Sequence, residues 1–267
     1  MSENPPETSR EPVFNVPTVL VALIGVLFLL QAGRTWLLTQ DDDIEFLLWF
    51  AFIPARYDAS LLQGLAVGDV IPSGIGPQIW TFLTYAFLHA DWTHVFVNTI
   101  WLLPFGTAVA RRFGTFRFAL MFAVTSIAGA LAHLVTHYGE IAFMIGASGA
   151  VSGLMAAAVR FAFQRGGPIE SWRRPDPESY LIPALPLSAA LRNSRVLIFV
   201  VVWFAMNILF GVGVVSILGG PQEIAWQAHA GGFIAGLFLF PFFDPVGASQ
   251  HNSDAEDDDD SGKPPIR

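Results

Sequence analysis

The sequence predicts an all-α, polytopic membrane protein with six spanning helices and a long first outer loop. Apolar residues make up 53% of the 267 residues, and the mean hydropathy is +0.52. Charged residues make up 13%, about half of the ~25% found in soluble globular proteins. Six stretches are apolar over a length close to the ~20 residues that a helix needs to cross a bilayer. This composition excludes a disordered chain and disfavours an ordinary soluble enzyme.

The six predicted spans follow one another along most of the chain. The first is preceded by an acidic, proline-rich segment that lacks a basic region and a cleavage site, so it does not resemble a signal peptide. The fourth is short and follows an apolar loop, GEIAFMIGA, which indicates that this loop dips into the protein. In chain order, the predicted spans cover about residues 17–33, 94–110, 116–134, 147–163, 196–218 and 224–243.

The basic residues orient these spans. Lys and Arg concentrate in cytoplasmic loops, and six spans with a cytoplasmic N-terminus place 12 of the 14 basic residues inside. The other two, Arg34 and Arg56, then lie outside. A seventh span over Ile44–Pro54 is the alternative, but this stretch is short and a seventh span would invert the charge distribution. Its aromatic residues instead suit a helix that lies in the membrane interface, so we predict that both termini are cytoplasmic.

The predicted boundaries divide the chain into a membrane domain, residues 17–245, and two cytoplasmic tails, residues 1–16 and 246–267. Within the membrane domain, the first outer loop covers about residues 34–93, and a cytoplasmic loop rich in Pro and Arg covers about residues 164–194. The C-terminal tail carries six of the 22 acidic residues and is expected to be disordered. The net charge of −8 therefore describes tails and loops, and the absence of cysteine excludes disulfides and thiolate metal sites.

Polar side chains within apolar helices are costly in lipid and therefore indicate function. His94 and Asn98 lie at positions i and i+4 of the second span, which puts both side chains on one helix face. The alternative for Asn98 is that its amide merely joins helices by hydrogen bonds.

A serine stands at the start of the fourth apolar helix, in the sequence Gly146-Ala147-Ser148-Gly149. A serine at a helix N-terminus is commonly an N-cap, and the sequence lacks the G-x-S-x-G pattern of soluble hydrolases. A helix that begins below the membrane surface is, however, an unusual place for a cap alone.

A histidine, His229, lies a few residues into the sixth span, on the same helix face as Gly232 and Gly236. The fourth helix carries a matching pair, Gly149 and Gly153. Small residues at this spacing let helix backbones approach closely, and a Ser–His hydrogen bond requires a distance of about 2.6–3.2 Å. The two glycine faces are therefore suited to bring a serine and a histidine together.

These four polar residues share one level in the predicted topology. Spans two, four and six all run from outside to inside, and His94, Asn98, Ser148 and His229 all lie in the first turns of these spans. Packing residues that were independent of one another would have no reason to share a level just below the outer face.

A second histidine pair, His133 and His137, lies near the outer end of the third span at positions i and i+4. Two imidazoles at this spacing can bind a metal, but no carboxylate or HExxH pattern accompanies them. We interpret them as surface or packing residues and expect neither a metal nor a cofactor.

Three motifs together resemble the rhomboid family of intramembrane serine proteases. They are HADWTHVFVN, GASG and AHAGGFIAG, in that order on spans two, four and six, and the resemblance covers about residues 80–243. Each motif alone is weak, but their combination and order are highly specific.

The resemblance implies a residue-by-residue assignment. Ser148 matches the nucleophile and His229 the general base of a dyad that lacks an aspartate. His94 and Asn98 match oxyanion-stabilising positions, and His89 matches a supporting histidine of the first loop. The glycines of the same motifs have supporting roles; they are Gly146, Gly149, Gly232 and Gly236.

The sequence differs from the family pattern at three positions. The usual Trp-Arg pair of the first loop is Trp80-Thr81, and a common acidic residue near the inner end of span two is Ala110. The aromatic residue that often follows the serine by one turn and packs on the catalytic histidine is Ser152. None of these differences removes a catalytic group, but they concern the anchoring of the first loop and the support of the His229 ring.

The leading functional hypothesis is a serine endopeptidase that cleaves other membrane proteins within the bilayer. The resemblance implies a multi-pass protein of a bacterial inner membrane with its active site near the outer face, transmembrane proteins as substrates and no nucleic-acid partner. An inactive relative that binds transmembrane clients without cleaving them is the alternative. A channel or transporter would also explain polar residues at depth, but the inner halves of spans two, four and six carry few ionisable groups.

Overall fold

The computed structural model describes residues 16–64, 70–169, 176–211 and 225–247. Apart from residue 16, the predicted N-terminal tail lies outside the described residues, as does all of the predicted C-terminal tail beyond residue 247. The described part is helical and contains no β-strand, apart from one isolated bridge between Phe52 and Met144. In chain order the α-helices are α1 Thr18–Leu37, α2 Gln40–Phe50, α3 Ala59–Gly64, α4 Ile75–Thr84, α5 Trp92–Thr136, α6 Ser148–Val159, α7 Leu187–Ala190, α8 Ser194–Gly211 and α9 Trp226–Phe243.

The prediction of an all-α polytopic membrane bundle is confirmed. Three helices are long and apolar enough to cross a membrane, namely Thr18–Leu37, Trp92–Thr136 and Trp226–Gly247, and α6 and α8 are shorter apolar helices. Among the described residues, six helical segments correspond to the predicted spans: α1, the two halves of α5, α6, α8 and α9.

A glycine joins the second and third spans without a loop. Gly114 interrupts α5 with φ 75° and ψ 171°, a left-handed conformation that glycine adopts without the steric penalty of a Cβ. The helix is therefore kinked at this single residue, between the halves 92–113 and 115–136.

An ion pair fastens the end of the bundle where α5 turns. Arg112 donates to both carboxylate oxygens of Asp244 at 2.8 Å, and its third nitrogen donates to the carbonyls of Tyr180 and Ile182, also at 2.8 Å. Both charged side chains are nearly fully buried. The buried guanidinium, which donates to these four acceptors, connects α5, the loop before α7 and the residue that follows α9.

The helix α6 occupies the centre of the bundle. Every residue from Gly149 to Val159 is buried, and most of these side chains are glycine or alanine, which lets α5 and α9 pack closely against α6. A helix of 12 residues is too short to cross a bilayer. Of the segment that precedes α6, which was expected to dip into the protein, Met144, Gly146 and Ala147 are buried, whereas Ile141 and Phe143 are exposed.

The first loop folds as a compact layer over one end of the bundle. Of the stretch Ile44–Pro54, predicted as an interfacial helix, residues 44–50 lie in α2, which begins with a capping box between Thr39 and Asp42. Residues 51–54 lie outside this helix and are buried, with Phe52 in the core, because the chain here pairs with Met144 rather than facing the membrane interface. The second apolar stretch of the loop forms α4 and a following 3₁₀ turn, Tyr85–Phe87, and Tyr85 is buried in the core.

A buried arginine anchors this loop. Arg56 has no solvent exposure, and its guanidinium donates to the carbonyls of Ala51 at 3.1 Å and Pro72 at 3.2 Å, and also to that of Leu48. Thr81, which replaces the arginine of the family's first-loop pair, instead donates to the Pro77 carbonyl of its own helix at 2.6 Å. Arg56 thus joins three segments of the loop from a different position in the sequence.

Candidate active site

The segment before α6 is held by the first loop. Phe52 and Met144 exchange backbone hydrogen bonds at 2.9 and 3.1 Å, and the Gly146 N–H donates to the Tyr85 carbonyl at 3.0 Å. Gly146 has φ +120°, a conformation that L side chains rarely adopt. These contacts fix the chain immediately before Ser148, the first residue of α6.

Backbone contact between two glycine faces joins α6 to α9. A Cβ added to Gly232 would lie 2.0 Å from the Gly149 carbonyl oxygen, and a Cβ on Gly236 would lie 2.0 Å from that of Gly153. No other residue type fits at either α9 position. The interface therefore takes the form expected from the sequence, with the helix axes as close as their backbones allow.

This close approach brings the serine and the histidine together. His229 Nε2 lies 2.6 Å from Ser148 Oγ, although the two residues are 81 positions apart. The distance is within hydrogen-bonding range, so the hydroxyl and a potential base are already in contact.

The other nitrogen of the same ring contacts Asn207, a residue that the sequence alone does not single out. His229 Nδ1 is hydrogen-bonded to Oδ1 of Asn207 on α8. Asn207 Nδ2 donates to the Trp203 carbonyl one turn earlier at 2.7 Å, and the Trp203 ring centroid is 6.4 Å from that of His229. The available signal was an amide within the apolar run from Val196 to Phe210.

His94 lies beside the serine. A Cβ on Gly146 would lie 2.8 Å from His94 Nε2 and 3.7 Å from Ser148 Oγ, so the imidazole and the hydroxyl flank this glycine. His94 Nδ1 accepts from the Ala90 N–H at 3.4 Å. In the neutral ring the proton therefore resides on Nε2, the nitrogen that faces the serine side.

Asn98 is buried on the same helix face, with 3% of its surface exposed. Its amide nitrogen donates to the His94 carbonyl at 2.9 Å. Among the hydrogen bonds of the described residues, none joins Asn98 to Ser148. A role at an oxyanion would use the second hydrogen of this amide.

His89 supports the loop from the other side. Its Nε2 accepts from the Ala147 N–H at 3.4 Å, and its ring lies 4.9 Å from that of His94 in an edge-on arrangement. Burial, and then the neighbouring His94, lowers the pKa of His89 to about 3. Its carbonyl accepts from Arg34 at 2.6 Å, and Arg34 is itself paired with Asp43.

The second histidine pair lies elsewhere in the bundle. His133 is buried and stacks on His137 with ring centroids 4.3 Å apart, and its edge meets the Phe52 ring. In the described part of the chain, no group of three or more His, Cys, Asp or Glu side chains is arranged to hold a metal ion.

The assembled groups have the geometry of a nucleophile with its base. A nitrogen base contacts the serine hydroxyl, and a third side chain contacts the opposite nitrogen of that base, as in nucleophile–base–orienting-group arrangements. The serine also stands at a helix N-terminus, where backbone N–H groups lack intrahelical partners and favour negative charge.

Comparisons with known proteins identify the family of the chain. The model of the Rhomboid domain matches residues 76–243, which is more than half of the chain. Rhomboid-like protease 1 of Toxoplasma gondii is 32% identical over 148 residues, which cover 55% of this chain and 46% of the relative. The putative rhomboid protease YdcA of Bacillus subtilis is 30% identical over 111 residues, covering 42% of this chain and 55% of the relative.

A plant relative has a different description. The RHOMBOID-like protein 6, mitochondrial, of Arabidopsis thaliana is 28% identical over 152 residues, covering 53% of this chain and 49% of the relative. The chain thus spans about half the length of these curated relatives. The domain match together with these similarities leads to one conclusion: the chain belongs to the rhomboid family.

Proposed function

We propose that the protein is an intramembrane serine endopeptidase in which Ser148 is the nucleophile and His229 the general base. The observation that carries this proposal is the 2.6 Å contact between His229 Nε2 and Ser148 Oγ at the start of the central helix α6. Serine is a weak nucleophile until an adjacent base removes its proton. Two of the similar relatives are named as proteases.

The proposed reaction has two halves. Ser148 Oγ attacks the carbonyl carbon of the scissile peptide bond while its proton passes to His229 Nε2. The tetrahedral intermediate collapses, the C–N bond breaks, and His229 gives its proton to the departing amine. Water then loses a proton to His229 and attacks the acyl carbon, the ester C–O bond breaks, and the proton returns to Ser148 Oγ.

The negative oxygen of the tetrahedral intermediate needs hydrogen-bond donors. The candidates are the Nε2–H of His94, the backbone N–H of Ser148 and the second hydrogen of the Asn98 amide. The positive end of α6 adds to their effect. Loss of one such donor typically costs about 2.7–4 kcal/mol of transition-state stabilisation.

We further propose the setting of the reaction. Both termini face the cytoplasm of a bacterial cell, and the first loop and Ser148 lie towards the outer face of the inner membrane. The proposed domain limits are residues 17–245, with tails at 1–16 and 246–267. The substrates are other membrane proteins, cleaved in or near a transmembrane segment, and water for deacylation reaches the serine from the outer side.

Labelling with a fluorophosphonate probe tests the proposal. We expect the purified wild-type protein to be labelled covalently and the Ser148→Ala and His229→Ala variants not to be labelled. A membrane-anchored reporter with a transmembrane segment should be cleaved in liposomes by the wild type alone.

The control is Ser126, a buried serine of α5. Ser126→Ala removes a hydroxyl that donates to the Phe122 carbonyl within its own helix at 2.8 Å, so this variant should retain labelling. Equal labelling of wild type and Ser148→Ala would overturn the proposal. Equal binding of the reporter by these two proteins, with cleavage by neither, would identify an inactive client-binding relative.

A further inference from the structure

We infer that Asn207 is a positioning residue that fixes the tautomer and the orientation of the His229 ring, an inference that rests on the proposed dyad. The first observation is its location. Asn207 carries the amide in an otherwise apolar run of α8, from Val196 to Phe210. Such a side chain is costly in an apolar environment unless its polar atoms are satisfied.

The two hydrogen bonds of the amide define which end faces the histidine. Asn207 Nδ2 donates to the Trp203 carbonyl at 2.7 Å, and a nitrogen donor is required there because a carbonyl cannot donate. The other end, Oδ1, therefore faces His229 Nδ1. Since Oδ1 can only accept, His229 Nδ1 must carry the proton.

This assignment determines the state of the opposite nitrogen. A neutral imidazole has one protonated nitrogen, so Nε2 holds the lone pair and accepts the Ser148 Oγ–H across 2.6 Å. The reverse tautomer would place the Nδ1 lone pair against the Asn207 oxygen, an acceptor facing an acceptor, and its protonated Nε2 could not remove the serine proton. Asn207 thus selects the tautomer in which His229 can act as a base, and its oxygen also stabilises the imidazolium that forms during reaction.

The residues around the His229 ring show why α8, rather than α6, holds this ring in place. Ser152, which stands where relatives often place an aromatic residue against the histidine, turns its hydroxyl to the Ser148 carbonyl at 2.7 Å. The aromatic neighbour comes instead from α8, where Trp203 lies one turn before Asn207 and stacks on Phe233 at 5.0 Å. Two residues of one α8 face therefore hold the ring of His229.

A simple alternative is that Asn207 only joins α8 to α9. Paired substitutions separate the two roles. Asn207→Leu keeps the branched shape and the number of side-chain heavy atoms and removes the acceptor, whereas Asn207→Asp keeps an acceptor facing His229 Nδ1. Val201→Ala, on an exposed face of the same helix, is the matched control.

We expect Asn207→Leu to lower the fluorophosphonate labelling rate about 10- to 100-fold, the effect of losing one hydrogen bond to a group that becomes charged. In reporter cleavage the loss should fall on kcat with KM nearly unchanged. Asn207→Asp should restore most of the rate, and Val201→Ala should match the wild type. The thermal unfolding midpoints of the variants in detergent show whether any loss reflects unfolding.

Nuclear magnetic resonance of protein containing ¹⁵N-labelled histidine provides a readout that a purely structural residue would not change. The signals of His229, identified by their absence in His229→Ala, should show a protonated Nδ1 and an unprotonated Nε2 in the wild type, and a mixture of tautomers in Asn207→Leu. An Asn207→Leu protein with the wild-type rate and the wild-type tautomer would overturn the inference. Failure of the wild type itself to react would instead overturn the proposed function.

Discussion

The helices α6 and α8, which lie on either side of His229, pack against α9 in different ways. On one side, α6 meets α9 through glycine backbones, and a single added carbon would overlap a carbonyl oxygen at 2.0 Å. On the other side, α8 meets α9 through side chains, by aromatic stacking of Trp203 on Phe233 and by the Asn207 amide. The first interface sets the distance between Ser148 and His229, and the second sets the direction of the ring.

This difference determines how well each interface tolerates substitutions. A backbone interface cannot adjust to added volume, because neither helix has a side chain that could move aside. A side-chain interface can adjust by changing rotamers, and it loses contacts one at a time. We therefore expect substitutions at the α6–α9 interface to abolish the site and substitutions at α8 to weaken it.

The largest effect is expected for Gly232→Ala. Its new Cβ would lie 2.0 Å from the Gly149 carbonyl oxygen, so the helices must separate and the Ser148–His229 contact must lengthen. We expect the fluorophosphonate labelling rate to fall more than about 100-fold, and the free energy of unfolding to fall by about 1–3 kcal/mol as in other overpacked interiors. Gly25→Ala on α1, where nothing lies within 4 Å, is the control and should not lose activity. Normal labelling of Gly232→Ala would contradict the view that the α6–α9 interface cannot accommodate added volume.

A comparable effect on activity, without the loss of stability, is expected for Gly146→Ala. Its Cβ would lie 2.8 Å from the His94 ring, which displaces the proposed oxyanion donor without moving α6 against α9. We expect kcat for reporter cleavage to fall about 100- to 1,000-fold, as for loss of one such donor. Gly74→Ala separates strain from displacement, because Gly74 has a similar φ of +117° with nothing within 4 Å. If both variants lost activity equally, backbone strain alone would explain the result.

A moderate effect is expected for Trp203→Leu on the α8 side. The substitution removes the aromatic neighbour of the His229 ring and the stacking on Phe233. Aromatic contacts of this kind contribute about 0.5–1.5 kcal/mol, so the labelling rate should fall about 2- to 10-fold while the protein remains folded. Val201→Ala serves again as the control on the exposed face. A loss as large as that of Gly232→Ala would show that the two interfaces do not differ in tolerance.

The smallest effect concerns pH and the loop before α6. Burial and then His94 lower the pKa of His89 from 6.5 to about 3, so the unfolded chain takes up a proton before the folded chain does. The neutral His89 ring therefore contributes its full stability above pH 6.5, and this stability is progressively lost as the pH falls from 6.5 towards 3. At pH 5.5 this should cost about 1 kcal/mol of unfolding free energy.

Thermal unfolding midpoints between pH 7.5 and 5 measure this effect. The dependence on pH should be weaker in His89→Asn than in the wild type, because the substituted side chain does not titrate. Parallel curves for the two proteins would show that His89 contributes nothing to the acid sensitivity.

Much of the site could be read from the sequence because its signals are local. The pairs Gly149/Gly153 and Gly232/Gly236 each lie on one face of one helix, and helix periodicity alone identifies such a face. Ser148 and His229 were selected because each is a polar residue near the start of an apolar helix. Their common level followed from the order of the spans.

The residues that were missed act through contacts between distant segments. Arg56 was used in the sequence only as a charge in the outer loop, yet its guanidinium binds carbonyls of residues 5 to 16 positions away in a loop of irregular path. Asn207 resembled any amide that joins helices, since nothing in a single helix specifies which residue its face will meet. The pairing of Arg112 with Asp244 joins residues 132 positions apart and was not predicted for the same reason.

The sequence by itself determined the all-α membrane architecture and the family, and it named the candidate residues Ser148 and His229 for the proposed chemistry, because hydropathy, charge and helix periodicity are properties of single segments. The tertiary structure alone decided which nitrogen of His229 faces Ser148 and which residue faces the other nitrogen. These features depend on the rotation of α6, α8 and α9 about their axes, and that rotation is fixed only when the glycine faces and the aromatic side chains pack together.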